Sequence, residues 1–235
     1  MALLGEVFTV HNGEARLARM KHSVMTTGRY LQEQWSSQGK RVRAAMLTLT
    51  YAKDDDWEPG DVRALLNRVN EWAKRRGGKL SYVWVGELTK RGRMHYHVLL
   101  WLPKGLTLPK PDKQGWWMKG LTRIEWARSA LGYLCKYASK GTSGTSAFPR
   151  GARISGWGGL DPVLRVVRRW WMLPKWLRCY APHSDDFRRA SGGGWVSFST
   201  GEWLPSPYLL VGVGPAWVRV VQAIPLPLPR LSPLR

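Results

Sequence analysis

Two apolar segments joined by a short basic turn constrain the fold of this chain more than any other feature. Leu80–Glu87 and Met94–Leu102 are rich in β-branched and aromatic residues, as buried strands are. The turn between them, Thr89–Arg93, contains one glycine and three basic side chains. A turn of this length joins neighbouring strands in an antiparallel hairpin. The pattern therefore predicts a hairpin near the centre of a sheet.

The hairpin brings three possible metal ligands together. His95 and His97 point to the same face, because alternate side chains of a strand share a face. If the hairpin is symmetric about Arg91, Glu87 lies directly opposite His95. Two imidazoles and a carboxylate would form an open three-ligand site for a divalent ion, with positions left for phosphate oxygen and water. A His-x-His pair alone is more often an ordinary set of hydrogen-bonding groups, and Glu87 is what favours a metal site.

Two tyrosines and two lysines recur at helical spacing within Glu125–Lys140, which we expect to be a helix closed by Gly141. At about 100° per residue, one side of this helix carries Tyr133, Lys136, Tyr137 and Lys140. The opposite side is apolar, would dock on the sheet, and comprises Ala127, Leu131, Leu134 and Ala138.

A phenol is a poor nucleophile at neutral pH because its pKa lies near 10. We therefore expect a neighbouring ammonium to lower the pKa of a catalytic tyrosine, and a metal ion to polarise a phosphate. Lysine can also neutralise the charge that develops on phosphoryl oxygens. The same spacing also fits a solvated helix face on which tyrosine and lysine only snorkel.

Other segments predict the rest of the fold. Residues 1–40 are basic and weakly helical, and Arg43–Tyr51 reads as a buried strand. Asp61 is expected to cap a helix that Gly77 and Gly78 end. Trp116–Ile124 is expected to be a fourth strand. The predicted fold class is α+β, an antiparallel sheet of four or five strands with the Asp61 helix and the tyrosine helix packed against it.

Charge and cysteine content limit the partners and the compartment. The net charge of +21, from 37 Lys and Arg against 16 Asp and Glu, attracts nucleic acid or an anionic membrane surface. The two cysteines, Cys135 and Cys179, have no paired spacing, which favours a reducing cytoplasm. We expect neither a secretion signal nor a membrane span, since no apolar run approaches the roughly 18 residues that a span needs.

These residues together resemble the HUH endonucleases, and specifically the rolling-circle replication initiators of filamentous single-stranded DNA phages. That family orders its motifs as an apolar strand, His-hydrophobic-His on a central strand, and Tyr-x-x-Lys on a helix. The first two would be Met46–Tyr51 and His95-Tyr96-His97 here. The third is doubled, with Tyr133 and Tyr137 each followed by a lysine, as in two-tyrosine phage initiators. Many initiators of single-stranded DNA viruses place a metal-binding Glu eight residues before the first His, and Glu87 has that spacing.

The resemblance implies a ferredoxin-like, RRM-like endonuclease fold and a nicking reaction at a replication origin. His95, His97 and Glu87 would bind Mg²⁺ or Mn²⁺. Tyr133 and Tyr137 would be nucleophiles, assisted by Lys136 and Lys140. One tyrosine would become joined to the 5′ phosphate, and the freed 3′ hydroxyl would prime synthesis by a host polymerase. A second transesterification would release circular single-stranded DNA, and we expect both tyrosines to serve.

The same interpretation divides the chain and names its partners. Residues 1–40 would be a basic extension, 41–145 the catalytic domain, 146–223 a Gly- and Trp-rich basic region, and 224–235 a Pro-rich tail. No P-loop sequence of the form G-x-x-x-x-G-K-[ST] occurs, so a host helicase would be a partner. Lys90, Arg91 and Arg93 at the hairpin tip are expected to contact origin DNA, or else form only a solvated turn.

Three alternatives remain open from the sequence. A two-tyrosine transposase has the same motif order, whereas a relaxase usually places its tyrosine ahead of the histidines. A non-enzymatic binder of single-stranded nucleic acid could stack bases on tryptophans, which are equally suited to a core; these are Trp116, Trp117, Trp170, Trp171 and Trp176. Residues 164–178 could instead lie on a membrane surface, although Pro174 interrupts that segment.

Overall fold

The computed structural model describes residues 5–39, 41–53, 56–140, 148–181 and 187–223. Helices and strands follow one another along the chain in this order: β1 (Val7–His11), α1 (Asn12–Ser37), β2 (Val42–Thr50), α2 (Asp61–Lys74), β3 (Ser81–Leu88), β4 (Met94–Pro103), β5 (Thr122–Ala127), α3 (Ala130–Lys140), β6 (Ser155–Gly158), α4 (Pro162–Met172), α5 (Lys175–Arg178), β7 (Phe187–Arg189), β8 (Trp195–Ser197), β9 (Trp203–Leu204), β10 (Tyr208–Val213) and β11 (Trp217–Gln222).

The chain divides into two compact units, which are described separately. One unit is Arg19–Asp161, and the other combines Met1–Ala18 with Pro162–Arg235. The predicted catalytic domain, residues 41–145, lies within the first unit. That unit also takes in most of α1 and the strand β6, which sequence analysis had placed outside the catalytic domain.

The unit Arg19–Asp161 is built on a five-stranded antiparallel sheet in the order β5-β2-β4-β3-β6. The hairpin β3–β4 has the predicted register, with Glu87 paired to His95. Its turn is closed by the Gly92 amide donating to the Thr89 carbonyl at 2.9 Å, with Gly92 in the left-handed region at φ 79°. The predicted α+β class and the antiparallel sheet are confirmed.

The central strand β4 is apolar on both faces because helices cover both sides of the sheet. Its even-numbered residues, such as Tyr96 and Val98, join the core under α2. Its odd-numbered residues face the other side, where Tyr137 of α3 stacks on His97. On that side the Trp101 indole also donates a hydrogen bond to Gln32 of α1 at 3.0 Å. This alternation explains why Met94–Pro103 reads as a nearly continuous apolar run.

The helix expected within residues 1–40 is confirmed as α1, and its second half is part of the first unit's core. Leu31 is fully buried and Trp35 is nearly so. The buried Gln34 amide donates to the Gly159 carbonyl at 3.0 Å and accepts from the Asp161 amide at 2.8 Å. Because both ends of its amide are bonded, Gln34 ties α1 to the segment that follows β6.

Three predictions about element boundaries were wrong. The strand expected at 116–124 begins only at Thr122 and runs to Ala127, since Trp117 is instead a core residue whose indole donates to the Thr50 carbonyl. The tyrosine helix therefore begins at Ala130 rather than at Glu125, and Ala127 lies in β5. The expected closure of this helix at Gly141 falls outside the described residues.

The expected capping by Asp61 was also wrong, although α2 does begin at that residue. The N-cap is Gly60, in the left-handed region at φ 100°, and makes no side-chain capping bond. The Asp61 carboxylate instead accepts from the Tyr51 hydroxyl at 2.8 Å and the Glu58 amide at 2.9 Å. A buried tyrosine one strand away thus takes the bond that a capping side chain would have given the helix.

The other unit contains two three-stranded sheets and two helices. One sheet has the order β1-β11-β10, and the other has the order β7-β8-β9. The basic, Trp-rich segment forms α4 and α5, whose Leu173 and Leu177 pack with Ala181 and Phe187. Trp170 and Trp176 pack against this cluster, so they fill a core rather than present free stacking surfaces. The Pro-rich tail lies outside the described residues.

None of the helices in the described ranges is both long and apolar enough to cross a membrane. Cys135 and Cys179 are both free thiols.

Gly120 sits where the chain crosses the end of β2, and we expect Gly120→Ala to destabilise the protein. A β-carbon there would overlap the Thr50 carbonyl oxygen and lie 2.9 Å from the Ala52 nitrogen. Both are backbone atoms held by bonds to Leu121 and Lys119, so they have little freedom to move. Overpacking of this kind costs about 1–3 kcal/mol. Urea-induced unfolding followed by tryptophan fluorescence measures the change.

Gly13→Ala is the matched control, because no atom lies within 4 Å of its added β-carbon in α1. Alanine favours a helix over glycine, so the control variant should be unchanged or slightly more stable. Equal midpoints for Gly120→Ala and the wild-type protein would contradict the steric argument.

Candidate active site

The candidate site lies on the sheet face that α3 covers, and strand register places its residues. Glu87 pairs with His95, and His97 pairs with Thr48 of β2 on its other side. Directly opposed residues of antiparallel strands share a face. The three predicted ligands therefore lie on one face of the sheet, as the sequence analysis expected.

His97 is the most constrained residue of this face. It is buried, and its Nε2 lies 2.9 Å from the Glu87 Oε2 atom. Its Nδ1 lies 3.2 Å from the Thr48 hydroxyl oxygen. With both nitrogens bonded, the imidazole has one fixed orientation.

His95 is half-buried and sits at the register position opposite Glu87. Burial lowers the pKa of His95, the Arg93 guanidinium lowers it further, and the Glu87 carboxylate opposes both effects. The lowered pKa keeps the imidazole neutral at physiological pH, which is the form that binds metal ions.

The donor atoms fit a hard divalent cation in part. Adjacent ligands of an octahedral ion with bonds of about 2.1 Å lie about 3.0 Å apart. The 2.9 Å between Glu87 Oε2 and His97 Nε2 matches that spacing. Among the described residues, however, no group of three or more His, Cys, Asp or Glu side chains is arranged to hold a metal ion. Metal binding by His95, His97 and Glu87 together stays a prediction.

Tyr137 lies directly over the histidine. The two rings are stacked with centroids 3.7 Å apart and planes 18° apart. The small residues that let α3 approach this closely are Ala130 and Ala138, buried beside Leu134. The hydrophobic side of α3 therefore docks largely as expected, and it brings one tyrosine onto a predicted metal ligand.

Tyr133 lies one helical turn before Tyr137. Its ring centroid is 6.3 Å from that of Tyr137, and both rings are half-buried. Lys136 is exposed, with its Nζ atom 5.5 Å from the Tyr137 ring centroid. Lys140 ends the helix, and its side chain lies outside the described residues.

The electrostatics around Tyr137 overturn one expectation. Burial raises the pKa of the Tyr137 phenol, and the Glu125 and Glu87 carboxylates and the neighbouring Tyr133 raise it further. Arg123 is the cation that opposes this rise. The expected lowering by a neighbouring lysine was thus wrong for Tyr137, because Lys136 points to solvent while two carboxylates face the phenol.

Sequence reasoning missed three residues of this face. Thr48 bonds His97, and Arg123 and Glu125 of β5 face Tyr137. Arg123 pairs with Thr48 in register and lies 3.0 Å from the Glu125 carboxylate. Register parity alone would have identified Thr48. Arg123 and Glu125 were hidden because the strand that carries them had been assigned partly to the helix.

The basic hairpin tip divides into two kinds of residue. Lys90 and Arg91 are exposed to solvent. Arg93 is only half-exposed, and its guanidinium donates to the Tyr51 carbonyl at 3.3 Å. Lys90 and Arg91 are therefore available to a partner, while Arg93 helps to fix the base of the hairpin. Their contact with DNA stays a prediction.

Comparison with known proteins gives one match. A family model that describes replication-associated proteins of the ORF2 type matches residues 44–142. No curated protein and no solved structure matches the chain. The matched segment begins in β2 and ends just beyond α3, so it contains Thr48, His95, His97 and both tyrosines. This part of the chain is similar to a family of replication-associated proteins, which supports a role in DNA replication.

Proposed function

We propose that this protein initiates rolling-circle replication by nicking one DNA strand through a tyrosine and later rejoining it, as HUH endonucleases do. The observation that carries the proposal is the stacking of Tyr137 on His97, with Tyr133 one turn away. This arrangement places two potential nucleophiles beside imidazole and carboxylate groups within the segment similar to replication-associated proteins.

The reaction is a pair of transesterifications. The phenol oxygen of one tyrosine attacks the scissile phosphorus, the bond from phosphorus to the 3′ oxygen breaks, and the phenol proton is replaced by a proton on the 3′ oxygen. The product is a 5′ phosphotyrosine and a free 3′ hydroxyl. The reverse attack by a 3′ hydroxyl rejoins the strand. One phosphodiester is exchanged for another in each step, so no nucleotide cofactor is consumed.

The residues of the site have separate tasks in this scheme. Glu87 and His97, with His95, would hold Mg²⁺ or Mn²⁺, which supplies Lewis-acid polarisation of the scissile phosphate. Thr48 positions the His97 ring, and Arg123 balances the carboxylates that face Tyr137. Lys136 and Lys140 are proposed to neutralise charge on the phosphoryl oxygens.

Two tyrosines on adjacent turns suit a reaction with two cuts. While one carries the covalent 5′ end, the other attacks the regenerated origin. The 3′ hydroxyl would be extended by a host polymerase on a strand opened by a host helicase, in the cytoplasm of a bacterial cell. The reaction requires DNA as the partner, and the net charge of +21 favours its capture.

The experiment that tests the proposal incubates the purified protein with end-labelled single-stranded oligonucleotides and Mn²⁺. The oligonucleotides include the origin of the replicon that encodes the protein. A slowed, protease-sensitive band on a denaturing gel is the expected result. Tight binding in chelator, with no adduct on any origin-bearing substrate, would make the protein a non-enzymatic binder instead.

Thr48→Val should weaken Mn²⁺ binding by about tenfold, because loss of a hydrogen bond to a metal-binding histidine has an effect of that size. A hydroxyl at this position can donate to Nδ1 or accept from it, so it supports either tautomer of His97. Thr48→Ser keeps the hydroxyl and should restore affinity. Isothermal titration with Mn²⁺ in the absence of DNA measures both variants. Equal affinities for the valine and serine variants would show that Thr48 does not position His97.

A further inference from the structure

A groove of about 530 Å³ lies on the face of the five-stranded sheet opposite to His97 and Tyr137. Tyr82, Trp84 and Tyr96 form its floor, at even-numbered positions of β3 and β4. The first turns of α2 and residues 57–60 form one wall. The chemistry described above uses none of these residues.

Glycines in β6 make the aromatic floor possible. A β-carbon on Gly158 would lie 2.7 Å from the Tyr82 ring, and one on Gly156 would lie 2.5 Å from the Trp84 indole nitrogen. The two rings therefore lie flat over the backbone of the edge strand, with their edges fixed. Trp57 closes the groove from the other side, and its indole donates to the Tyr96 hydroxyl at 2.7 Å. The aromatic walls are thus preorganised.

The groove carries positive charge at its rim. Arg63 and Arg153 line it and are both exposed, and none of the described lining residues is acidic. The nearest acidic side chains in the sequence are engaged elsewhere: Asp61 bonds the Tyr51 hydroxyl, and Glu58 pairs with Lys119 at 2.8 Å. A ligand with an aromatic face and a negative charge is complementary to this surface.

We propose that the groove binds an unpaired nucleotide of single-stranded DNA, at a second site separate from the nicking site. The base would stack on the rings of Tyr82 and Trp57, and the flanking phosphates would contact Arg63 and Arg153. Base–aromatic stacking beside basic residues is the usual way to hold a single strand without reading its sequence. A groove of this volume accommodates a nucleotide. The inference rests on DNA being the partner, as proposed above, and does not require cleavage.

Proline-rich peptides also dock in aromatic grooves. The only strongly proline-rich segment of this chain, residues 224–235, carries two arginines and no acidic residue. Arg63 and Arg153 would repel it, so the charge favours the nucleic acid.

Photo-cross-linking tests the site directly. The full-length Tyr133→Phe/Tyr137→Phe protein is mixed in chelator with an oligonucleotide containing 5-bromodeoxyuridine, irradiated, and digested for mass spectrometry. Cross-links to Trp57 or Tyr82 are expected. Cross-links found only on α3 or within residues 162–223 would overturn the proposal. Because this variant lacks both candidate nucleophiles and binding is measured without metal, the result stands whether or not the wild-type protein forms an adduct.

Salt dependence of binding provides the second measurement. Arg63→Gln/Arg153→Gln should weaken binding by about tenfold and reduce the slope of log affinity against log salt by about 1.4, since each phosphate contact on a single strand contributes about 0.7. The control Arg75→Gln/Lys79→Gln removes the same charge from exposed residues outside the groove. Equal effects of the two pairs would show that the groove has no special role.

Two competition arms separate other occupants. Deoxythymidine monophosphate that competes as well per nucleotide as the oligonucleotide would make this a mononucleotide pocket, against the proposal. A synthetic peptide of residues 224–235 that quenches the groove tryptophans, while the oligonucleotide does not, would also overturn it. Weak competition by the mononucleotide and none by the peptide are the expected results. Circular dichroism of each variant checks that the fold is retained.

Discussion

Replacing both Tyr133 and Tyr137 by phenylalanine is expected to abolish the covalent protein–DNA adduct, by at least about a thousandfold relative to the wild-type protein. Removal of a nucleophile produces losses of this order or larger, because no other group can form the same bond. Phenylalanine keeps the ring that stacks on His97 at 3.7 Å and removes only the phenol oxygen. The fold and the binding of DNA in chelator should therefore be unchanged. Denaturing gels of end-labelled origin oligonucleotides measure the adduct.

The single variants separate the roles of the two tyrosines. If both serve, each single phenylalanine variant should still form some adduct but should lose the complete cycle of nicking and joining. Tyr180→Phe is the control, since that tyrosine lies in the other compact unit and is exposed. Full nicking and joining by both single variants would contradict a two-tyrosine mechanism. An adduct that persists in the double variant would rule out both residues as the nucleophile.

Glu87→Gln is expected to have the second-largest effect, reducing Mn²⁺ affinity and metal-dependent nicking by about a hundredfold or more. The amide has the shape of the carboxylate but no charge, and a hard divalent cation prefers a charged oxygen ligand. His97→Gln should have an effect of similar size, because it removes the imidazole donor that lies 2.9 Å from Glu87. Isothermal titration with Mn²⁺ measures affinity independently of nicking.

Glu87→Gln also discriminates between two roles for the carboxylate. Glu87 is one of the groups that raise the pKa of Tyr137. If Glu87 only contacted His97 and bound no metal, the substitution would lower that pKa toward its ordinary value and would leave activity equal or higher. His11→Gln is the control, as this exposed histidine lies outside the unit that holds the site. Nicking by Glu87→Gln at the wild-type rate would remove the carboxylate from the proposed metal site.

Much of the fold could be predicted because it depends on local pattern. The register of the β3–β4 hairpin follows from the length of its turn, so the pairing of Glu87 with His95 was predicted from the sequence and is confirmed. The boundaries at β5 and α3 could not be predicted as well. Trp116 and Trp117 have strand-like side chains, but they are placed in the core by packing against Trp72 and Tyr51.

The candidate site divides in the same way. Residue type and spacing in the sequence determined which side chains share a face: His95 with His97 on a strand, and Tyr133 with Tyr137 on a helix. Only the tertiary structure placed Tyr137 on His97, and only it brought Glu125 and Arg123 to the same phenol. The aromatic groove beneath α2 likewise depends on contacts between β6 and β3, which are distant along the chain. Periodicity within one element is set by backbone geometry, whereas contacts between elements depend on how whole faces pack, and the pKa of Tyr137 depends on the charges which that packing brings near.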